Sequence, residues 1–141
     1  MKSSRRYVFD TNTLISAALF ERGNPGKAFR HALTRGTVLL SPATFDEIDE
    51  VLARKKFDDY LSLDERAAFI EALVERSRFV APTEEVQACR DPDDDKFLEL
   101  AASENAACIV SGDADLLVLS PFRGIPIMEP VDFLEWVEQN G

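Results

Sequence analysis

Histidine and cysteine are scarce in this sequence. His31 is the only histidine of the 141 residues, and the two cysteines, Cys89 and Cys108, lie on different predicted elements without forming a Cys-X-X-Cys pair. A disulfide framework or a zinc site normally needs more of these residues at closer spacing. We therefore expect reduced thiols and no zinc, and we interpret His31, on a predicted amphipathic helix, as a structural or exposed residue.

Long hydrophobic runs are also missing. A membrane-spanning helix needs roughly 18 consecutive apolar residues, and no run in this sequence approaches that length. The chain does not open with the charged and then apolar segment that is typical of a secretory signal. We therefore expect no membrane contact and a cytoplasmic location.

Basic residues are outnumbered by acidic ones, 16 against 26, which gives a net charge of −10. A chain of this charge repels a polyanion at long range. Carboxylates that gather around divalent cations lose that repulsion locally, however, so the charge alone does not remove nucleic acid from the list of partners. With 45% hydrophobic and 30% charged residues, the composition is that of a globular domain.

Strand-like and helix-like segments alternate along the chain, without hairpin signals and without an interdomain linker. Strands separated by helices predict a parallel sheet that is covered on both faces. We therefore predict a single domain over 1–141 of the α/β class, with three α/β/α layers and a central, mainly parallel sheet of about four to five strands. The predicted strands are 7–9, 37–40, 79–81, 107–111 and 125–128, and the predicted helices are 11–20, 25–35, 42–56, 64–78, 94–105 and 131–139.

Acidic residues follow two of the predicted strands directly. Asp10 comes after Tyr7-Val8-Phe9, and Asp113 lies in the turn that follows the strand 107–110. Parallel strands place their carboxyl ends at the same edge of a sheet, which is where α/β proteins carry their functional residues. We therefore expect Asp10 and Asp113 to converge.

Two further groups of acids lie on predicted helices. Glu47 lies at the edge of a buried stripe, from which its carboxylate reaches a shared cleft, and Asp49, at the opposite edge, is its rival. The run from Asp91 to Asp95 holds more acids than a helix start requires, because each added like charge is resisted. Asp95 shares a helical side with apolar residues and faces inward; Asp94 is nearly as well placed, whereas Asp91 and Asp93 are interpreted as solvated or capping residues.

Each acid also has a simpler interpretation. An aspartate at one strand end is more often a helix cap than a metal ligand, so Asp10 taken alone favours the cap. Glu47 taken alone favours a surface residue, since its helix carries four acids. The run 91–95 taken alone is typical of a solvated loop. Convergence of all of them at one edge is what favours a common site.

The motifs around these acids resemble the PIN domain of metal-dependent nucleases over nearly the whole chain. The resemblance rests on Asp10-Thr-Asn12, Glu47, Asp95 and Ser111-Gly-Asp113-Ala-Asp115 in this order. The segments Cys-Arg-Asp-Pro-Asp-Asp-Asp-Lys-Phe-Leu (89–98), Val-Leu-Ala-Arg-Lys-Lys-Phe (51–57) and Gly-Ile-Pro-Ile (124–127) resemble the bacterial branch assigned as toxin components of toxin-antitoxin systems, related to VapC-type toxins. The position of Ser111 is often Thr in the family, and both residues carry the hydroxyl.

The resemblance implies a fold, a reaction and a set of site residues. It implies an endoribonuclease that depends on Mg²⁺ or Mn²⁺, an antitoxin partner that covers the cleft, and a homodimer. The metal-binding acids that it implies are Asp10, Glu47, Asp95 and Asp113, and the supporting polar positions are Asn12, Ser111 and Asp115.

The chemistry agrees with a carboxylate-only site. Hydrolysis of a phosphodiester needs a deprotonated water in line with the leaving oxygen and positive charge near the developing phosphorane. Magnesium or manganese supplies both, and these hard cations prefer oxygen ligands. The sequence contains no histidine base, serine nucleophile or Walker glycine loop, and this reaction needs none of them. Nothing in the residues themselves distinguishes RNA from DNA.

Two other functions remain open at this point. Phe9-Asp10-Thr-Asn12-Thr superficially resembles the nucleophile loop of haloacid-dehalogenase-like phosphatases, although Asn12 stands where that chemistry needs an acid. A non-catalytic PIN module that only binds partners is the second alternative, and the intact acids argue against it.

Basic residues that could bind substrate are few. Arg54, Lys55 and Lys56 form the most concentrated basic patch, and Arg5, Arg6, Arg90 and Lys96 lie near the motifs, where they could position a phosphate backbone. Because Lys and Arg at the end of a helix also complement the helix dipole, the structural interpretation of the patch 54–56 is favoured over substrate binding.

Overall fold

Five parallel strands form one sheet in the order β3-β2-β1-β4-β5. The computed structural model describes residues 5–140, so 1–4 and 141 of the predicted domain lie outside the described residues. The strands are β1 (Arg6–Phe9), β2 (Thr37–Leu40), β3 (Ser77–Phe79), β4 (Cys108–Val110) and β5 (Ile127–Met128).

Helices separate the strands as the alternation predicted. None of them, within 5–140, combines the length and the apolar composition needed to cross a membrane. They are α1 (Thr11–Leu19), α2 (Asn24–Arg35), α3 (Pro42–Leu52), α4 (Leu63–Arg76), α5 (Asp95–Ser103), α6 (Ala114–Leu117) and α7 (Pro130–Asn140), with short 3-10 turns at Lys55–Phe57 and Pro92–Asp94.

The side chains of the strands alternate between two apolar layers, because successive residues of a strand point to opposite faces. Tyr7 and Phe9 of β1 belong to a buried cluster with residues of α1, α2, α4 and α7, whereas Val8 belongs to a second cluster with residues of α5 and α6. The sheet is thus covered on both faces. This arrangement confirms the predicted three-layer α/β/α fold with its parallel sheet.

The order of the strands places a crevice between β1 and β4. The chain first builds outward on one side of β1, through β2 and β3, and then returns to add β4 and β5 on the other side. A parallel sheet built in this way opens at the carboxyl ends of the two strands where the direction reverses, and ligands of α/β proteins bind there. In this protein, Asp10 follows one of these strands and Ser111 follows the other.

Side-chain caps set the beginnings of helices α1, α3 and α4. Asp10 caps α1 by accepting a hydrogen bond from the Thr13 amide at 2.9 Å. Ser41 and Thr44 form a reciprocal capping box at α3, and Ser62 and Glu65 form another at α4. Such caps satisfy amide groups of the first turn that have no partner within the helix, so these starts were predictable from the sequence.

Helix α3 is shorter than predicted. The prediction of a helix over 42–56 was wrong at its end, because α3 stops at Leu52 and Arg54 takes an extended conformation. The chain then turns so that Phe57 packs against a small cluster that contains Ile15 and Leu52. No glycine or proline marks this turn, and packing rather than local sequence ends the helix.

Strand β3 lies two residues earlier than predicted. It covers Ser77–Phe79 rather than 79–81, and it pairs in register with β2, with Val38 opposite Ser77. The exposed Arg78 and Phe79 give this edge strand no alternating pattern of buried residues, so the sequence carried little information about its position.

The last helix, α7, is anchored through Phe133. This side chain is completely buried, and its ring centroid lies 5.1 Å from that of Tyr7 and 6.1 Å from that of Phe9 on β1. The closing helix therefore supports the strand that carries Asp10.

We expect Phe133→Ala to lower the free energy of unfolding by about 3–5 kcal/mol, because it removes a fully buried aromatic ring and leaves a cavity. Urea denaturation followed by circular dichroism measures the change. Val131→Ala, at an exposed position of the same helix, is the matched control and should change stability by less than about 0.5 kcal/mol. A loss equal to that of the control would contradict the anchoring role.

Candidate functional site

Asp10 is buried at the carboxyl end of β1, and both of its oxygens have partners. Its backbone amide donates to the carbonyl of Val110 at 3.2 Å, which ties it to the end of β4. Oδ1 accepts from the Thr13 amide, and Oδ2 accepts from the hydroxyl of Ser111. The carboxylate is therefore fixed in the crevice between the two strands.

Ser111 connects the two strand-end acids. Its O–H group donates a hydrogen bond to Oδ2 of Asp10. The Oγ atom also accepts a hydrogen bond from the backbone amide of Asp113 at 3.0 Å. The amide of Asp115 in turn donates to Oδ1 of Asp113 at 2.9 Å, so Asp113 caps α6. The completely buried Ser111 thus holds the turn that brings Asp113 toward Asp10.

Burial raises the pKa of Asp10 above its ordinary value, and the charge of Asp113 adds to the rise. The hydrogen bonds from Ser111 and Thr13 act in the opposite direction and do not cancel it. An ionised Asp10 is therefore held at a free-energy cost, because its carboxylate is removed from water beside a second acid.

Asp94 is the third acid at this edge of the sheet. The pKa of Asp94 is raised to about 6, mainly by burial. Asp113 adds to this rise through its charge and a hydrogen bond, and Asp91 adds to it through its charge. The charge of Lys96 acts in the opposite direction. The carboxyl groups of Asp94 and Asp113 are therefore neighbours. We call Asp10, Asp94 and Asp113 the acidic cluster.

Asp95, which was predicted as a metal-binding acid, has a different environment. Its Oδ1 accepts hydrogen bonds from the amides of Ala88 at 3.1 Å and Cys89 at 2.8 Å. Burial opposes ionisation of Asp95, but the backbone hydrogen bonds from Cys89 and Ala88 outweigh it and lower its pKa. The carboxylate therefore stabilises the loop that precedes α5.

Cys89 is part of the same arrangement. Burial, a hydrogen bond with Asp95 and the neighbouring acids raise the pKa of its thiol to about 12. Burial also raises the pKa of the Cys108 thiol to about 12. Both cysteines are free, as the sequence predicted, and both thiols stay protonated at neutral pH.

Glu47 lies at the margin of the cleft, held from two sides. Thr11, next to Asp10, donates its hydroxyl to Oε1, and the ammonium of Lys96 lies 2.7 Å from Oε2. Lys96 also donates to the backbone carbonyl of Asp93. Glu47 thus reaches the edge that carries Asp10, as predicted, but its charge is neutralised by a lysine.

The structure does not bring every predicted site residue to the cleft. Asn12 is exposed in the first turn of α1, and Asp49 is exposed on α3. The basic patch Arg54, Lys55 and Lys56 lies beyond the far end of α3, about 16 Å along the helix from its start at the strand edge. Arg54 pairs there with Glu50 at 3.9 Å. The patch therefore lies away from Asp10, Asp94 and Asp113, because α3 runs away from this edge of the sheet, and its contact with substrate stays a prediction.

The donors at the site are suited to a hard divalent cation. Within residues 5–140, no three acidic, cysteine or histidine side chains form a preformed cage for a metal ion. The acidic cluster nevertheless offers only carboxylate oxygens, and two of its members have raised pKa values. A Mg²⁺ or Mn²⁺ ion would offset the burial cost and the repulsion that raise these pKa values, so the residues fit such an ion.

Comparison with known protein families agrees with this geometry. A family model described as the PIN domain matches residues 6–115, which include every residue of the acidic cluster. The chain belongs to the PIN domain family. PIN domains are nucleases, so the dehalogenase-like alternative for Asp10 is set aside. Strand β5 and helix α7 lie beyond the matched part of this PIN domain.

Individual relatives extend the comparison. The uncharacterised protein MJ1680 of Methanocaldococcus jannaschii is 34% identical over 119 residues, which cover 81% of this chain and 74% of the relative. Two solved structures share the fold. PAE2754 from Pyrobaculum aerophilum has a TM-score of 0.63 at 13% identity and covers 96% of this chain and 91% of its own. VapBC2 from Rickettsia felis, bound to a DNA fragment from its promoter, has a TM-score of 0.57 at 11% identity. The alignment covers 86% of this chain and 96% of the VapBC2 chain.

Sequence reasoning missed two contributions to the site. The hydroxyl of Thr11 on Glu47 was not anticipated, although Thr11 directly follows Asp10. The pairing of Lys96 with Glu47 was not anticipated either, since it joins two helices that are far apart in the sequence. The position of Lys96 beside the acid run was the one available signal.

Without divalent cations, we expect Asp94→Asn to stabilise the protein at pH 7.5, and we expect the gain to shrink as the pH falls through 6. The folded protein holds a proton on Asp94 up to a pH of about 6, whereas the unfolded chain releases it at about 3.9. Stability of the wild type therefore rises as the pH falls through this window, and the variant lacks that rise. Thermal unfolding in EDTA across this pH range, with the exposed Glu135→Gln as control, measures the difference. A gain in stability that does not depend on pH would contradict the raised pKa of Asp94.

Proposed function

We propose that this PIN domain is an endoribonuclease that depends on Mg²⁺ or Mn²⁺ and acts as the toxin component of a toxin-antitoxin pair. The observation that carries the proposal is the convergence of Asp10, Asp94 and Asp113 at the crevice between β1 and β4. Membership of a nuclease family sets the class of reaction, and this convergence supports the dependence on metal.

Electrostatic repulsion is the physical reason for the metal. Two carboxylates about 5 Å apart repel each other by roughly 3 kcal/mol at an effective dielectric constant near 20. The caps at Asp10 and Asp113 alone do not explain why Asp94 also lies against Asp113. A divalent cation offsets this repulsion and makes the ionised cluster stable.

Each residue would then have a distinct task. Asp10, Asp94 and Asp113 would hold the ion, which supplies a deprotonated water and neutralises charge on the phosphate oxygens. Ser111 orients Asp10 and the Asp113 turn, and Thr11 orients Glu47. Asp95 fixes the loop at 88–89 and thereby the start of α5. Asn12, which was predicted as a supporting residue, is exposed near this edge.

RNA and the antitoxin come from the resemblance to VapC-type toxins. The structural similarity to VapBC2 supports the same assignment at the level of the fold. The net charge of −10 favours a cationic partner, and a basic side chain of an antitoxin inserted among the acids would inhibit by replacing the metal. We infer a homodimer on the same resemblance.

Cleavage of total RNA with mapped 5′ ends tests the proposed function. We expect Mg²⁺-dependent cleavage by the wild type and a loss of about 100-fold or more in Asp10→Asn and in Asp113→Asn, because each removes a charge from the metal site. Asp10→Asn should leave the fold intact or more stable in the absence of metal, since it relieves repulsion. Glu135→Gln is the control. A wild type that binds Mg²⁺ without cleaving RNA would favour a non-catalytic PIN module instead.

Substitutions of the neighbouring acids Asp94 and Asp95 should have different effects, the first on Mn²⁺ binding and the second on stability. We expect Asp94→Asn to weaken Mn²⁺ binding by at least about tenfold, because it removes one ligand charge from the cluster. We expect Asp95→Asn to retain more of the Mn²⁺ affinity and to lose about 1–2 kcal/mol of stability, because the charged acceptor of two amides is replaced. Isothermal titration calorimetry and urea unfolding measure the two effects. The reverse pattern would show that Asp95 is the ligand.

A further inference from the structure

Lys96 is the cation of the cleft. Its ammonium lies 2.7 Å from Oε2 of Glu47, and its charge opposes the rise in the pKa of Asp94. Within residues 5–140, it is the only lysine or arginine that forms an ion pair with one of the acids at this edge of the sheet. Its side chain is 16% exposed, so the charge is largely withdrawn from solvent.

Lys96 also forms part of the wall of a cavity of about 410 Å³ on the side of β2 and β3. The size lies within the range of ligand-binding clefts, which begins at about 300 Å³. The start of α3 contributes Pro42 and Ala43 to the wall, and the segment after β3 contributes Ala81 and Pro82. Lys96 therefore stands between the acidic cluster and a cleft that is large enough for one nucleotide.

Acidic residues line the rest of this cavity. Glu84 is paired with Arg123 at 2.8 Å, and Glu99 accepts a hydrogen bond from the amide of Val86 at 3.0 Å. Glu84, Glu85 and Glu99 repel a phosphate from most of the wall, and among the described residues that line it only Lys96 carries a positive charge. The apolar Ala and Pro side chains offer a surface for a sugar or a base.

A purely structural ion pair between α3 and α5 explains the arrangement less completely. Glu47 is already oriented through its other oxygen by Thr11, and the carboxyl-to-ammonium contact lies beside the acidic cluster rather than on an outer face. A divalent cation that binds beside Glu47 would also repel the ammonium of Lys96.

We propose that Lys96 is a positioning residue that neutralises Glu47 in the free protein and transfers to a backbone phosphate of the substrate strand, one nucleotide of which lies in the adjoining cavity. The inference rests on the proposed nuclease function and specifies the strand's path over the ends of β2 and β3. Lys96 thereby supplies a substrate contact at the edge of the sheet that carries the acidic cluster, away from the patch at 54–56.

The salt dependence of RNA binding tests this role. Binding of a labelled single-stranded RNA is measured by fluorescence anisotropy at fixed Mg²⁺ over a series of KCl concentrations, in the Asp10→Asn background that keeps the RNA intact. We expect Lys96→Met to weaken binding about tenfold and to reduce the slope of log K against log salt by about 0.7, which is the contribution of one phosphate contact to a single strand.

Matched variants make the result specific. Lys27→Met removes the same charge at an exposed position of α2 and should change neither the affinity nor the slope. Lys96→Arg should restore the slope, because it keeps a phosphate-binding charge. Weaker binding of Lys96→Met with an unchanged slope would assign Lys96 a structural role and overturn this inference alone. Absence of RNA binding by the Asp10→Asn parent would overturn the inference together with the RNA assignment.

Discussion

The crowding of Asp10, Asp94 and Asp113 at one end of the sheet is the constraint on which the rest of the site depends. Burial and mutual repulsion raise the pKa values of Asp10 and Asp94. The free protein meets this cost in two ways, through the hydroxyl of Ser111, which donates to Asp10, and through the ammonium of Lys96, which opposes the rise in the pKa of Asp94. Each of these is a substitute for positive charge that a divalent cation supplies more fully.

The scaffold keeps the acids from moving apart. Asp10 and Ser111 directly follow β1 and β4, whose side chains are buried on both faces of the sheet. The backbone hydrogen bond from Asp10 to Val110 joins the two strand ends. Because close-packed layers resist displacement, relief of the repulsion has to come from protons or cations rather than from a rearrangement of the backbone.

The sequence predicted the parts of this site that local rules determine. An acid directly after a buried strand has its position set by that strand, which is why Asp10 and Asp113 were placed correctly. Asp94 and Asp95 differ by about 100° around a helix, and the amides at 88–89 that bind Asp95 come from a loop without a periodic pattern. The end of α3, which takes Arg54, Lys55 and Lys56 away from the cleft, likewise depends on the packing of Phe57.

The most direct test is a crystal structure of the protein soaked in Mn²⁺, with data collected at the manganese absorption edge. The account predicts an anomalous peak in contact with carboxylate oxygens of Asp10, Asp94 and Asp113. A Mn²⁺-saturated crystal whose only anomalous peaks lie elsewhere, for example on Asp91 and Asp93 alone, would contradict it.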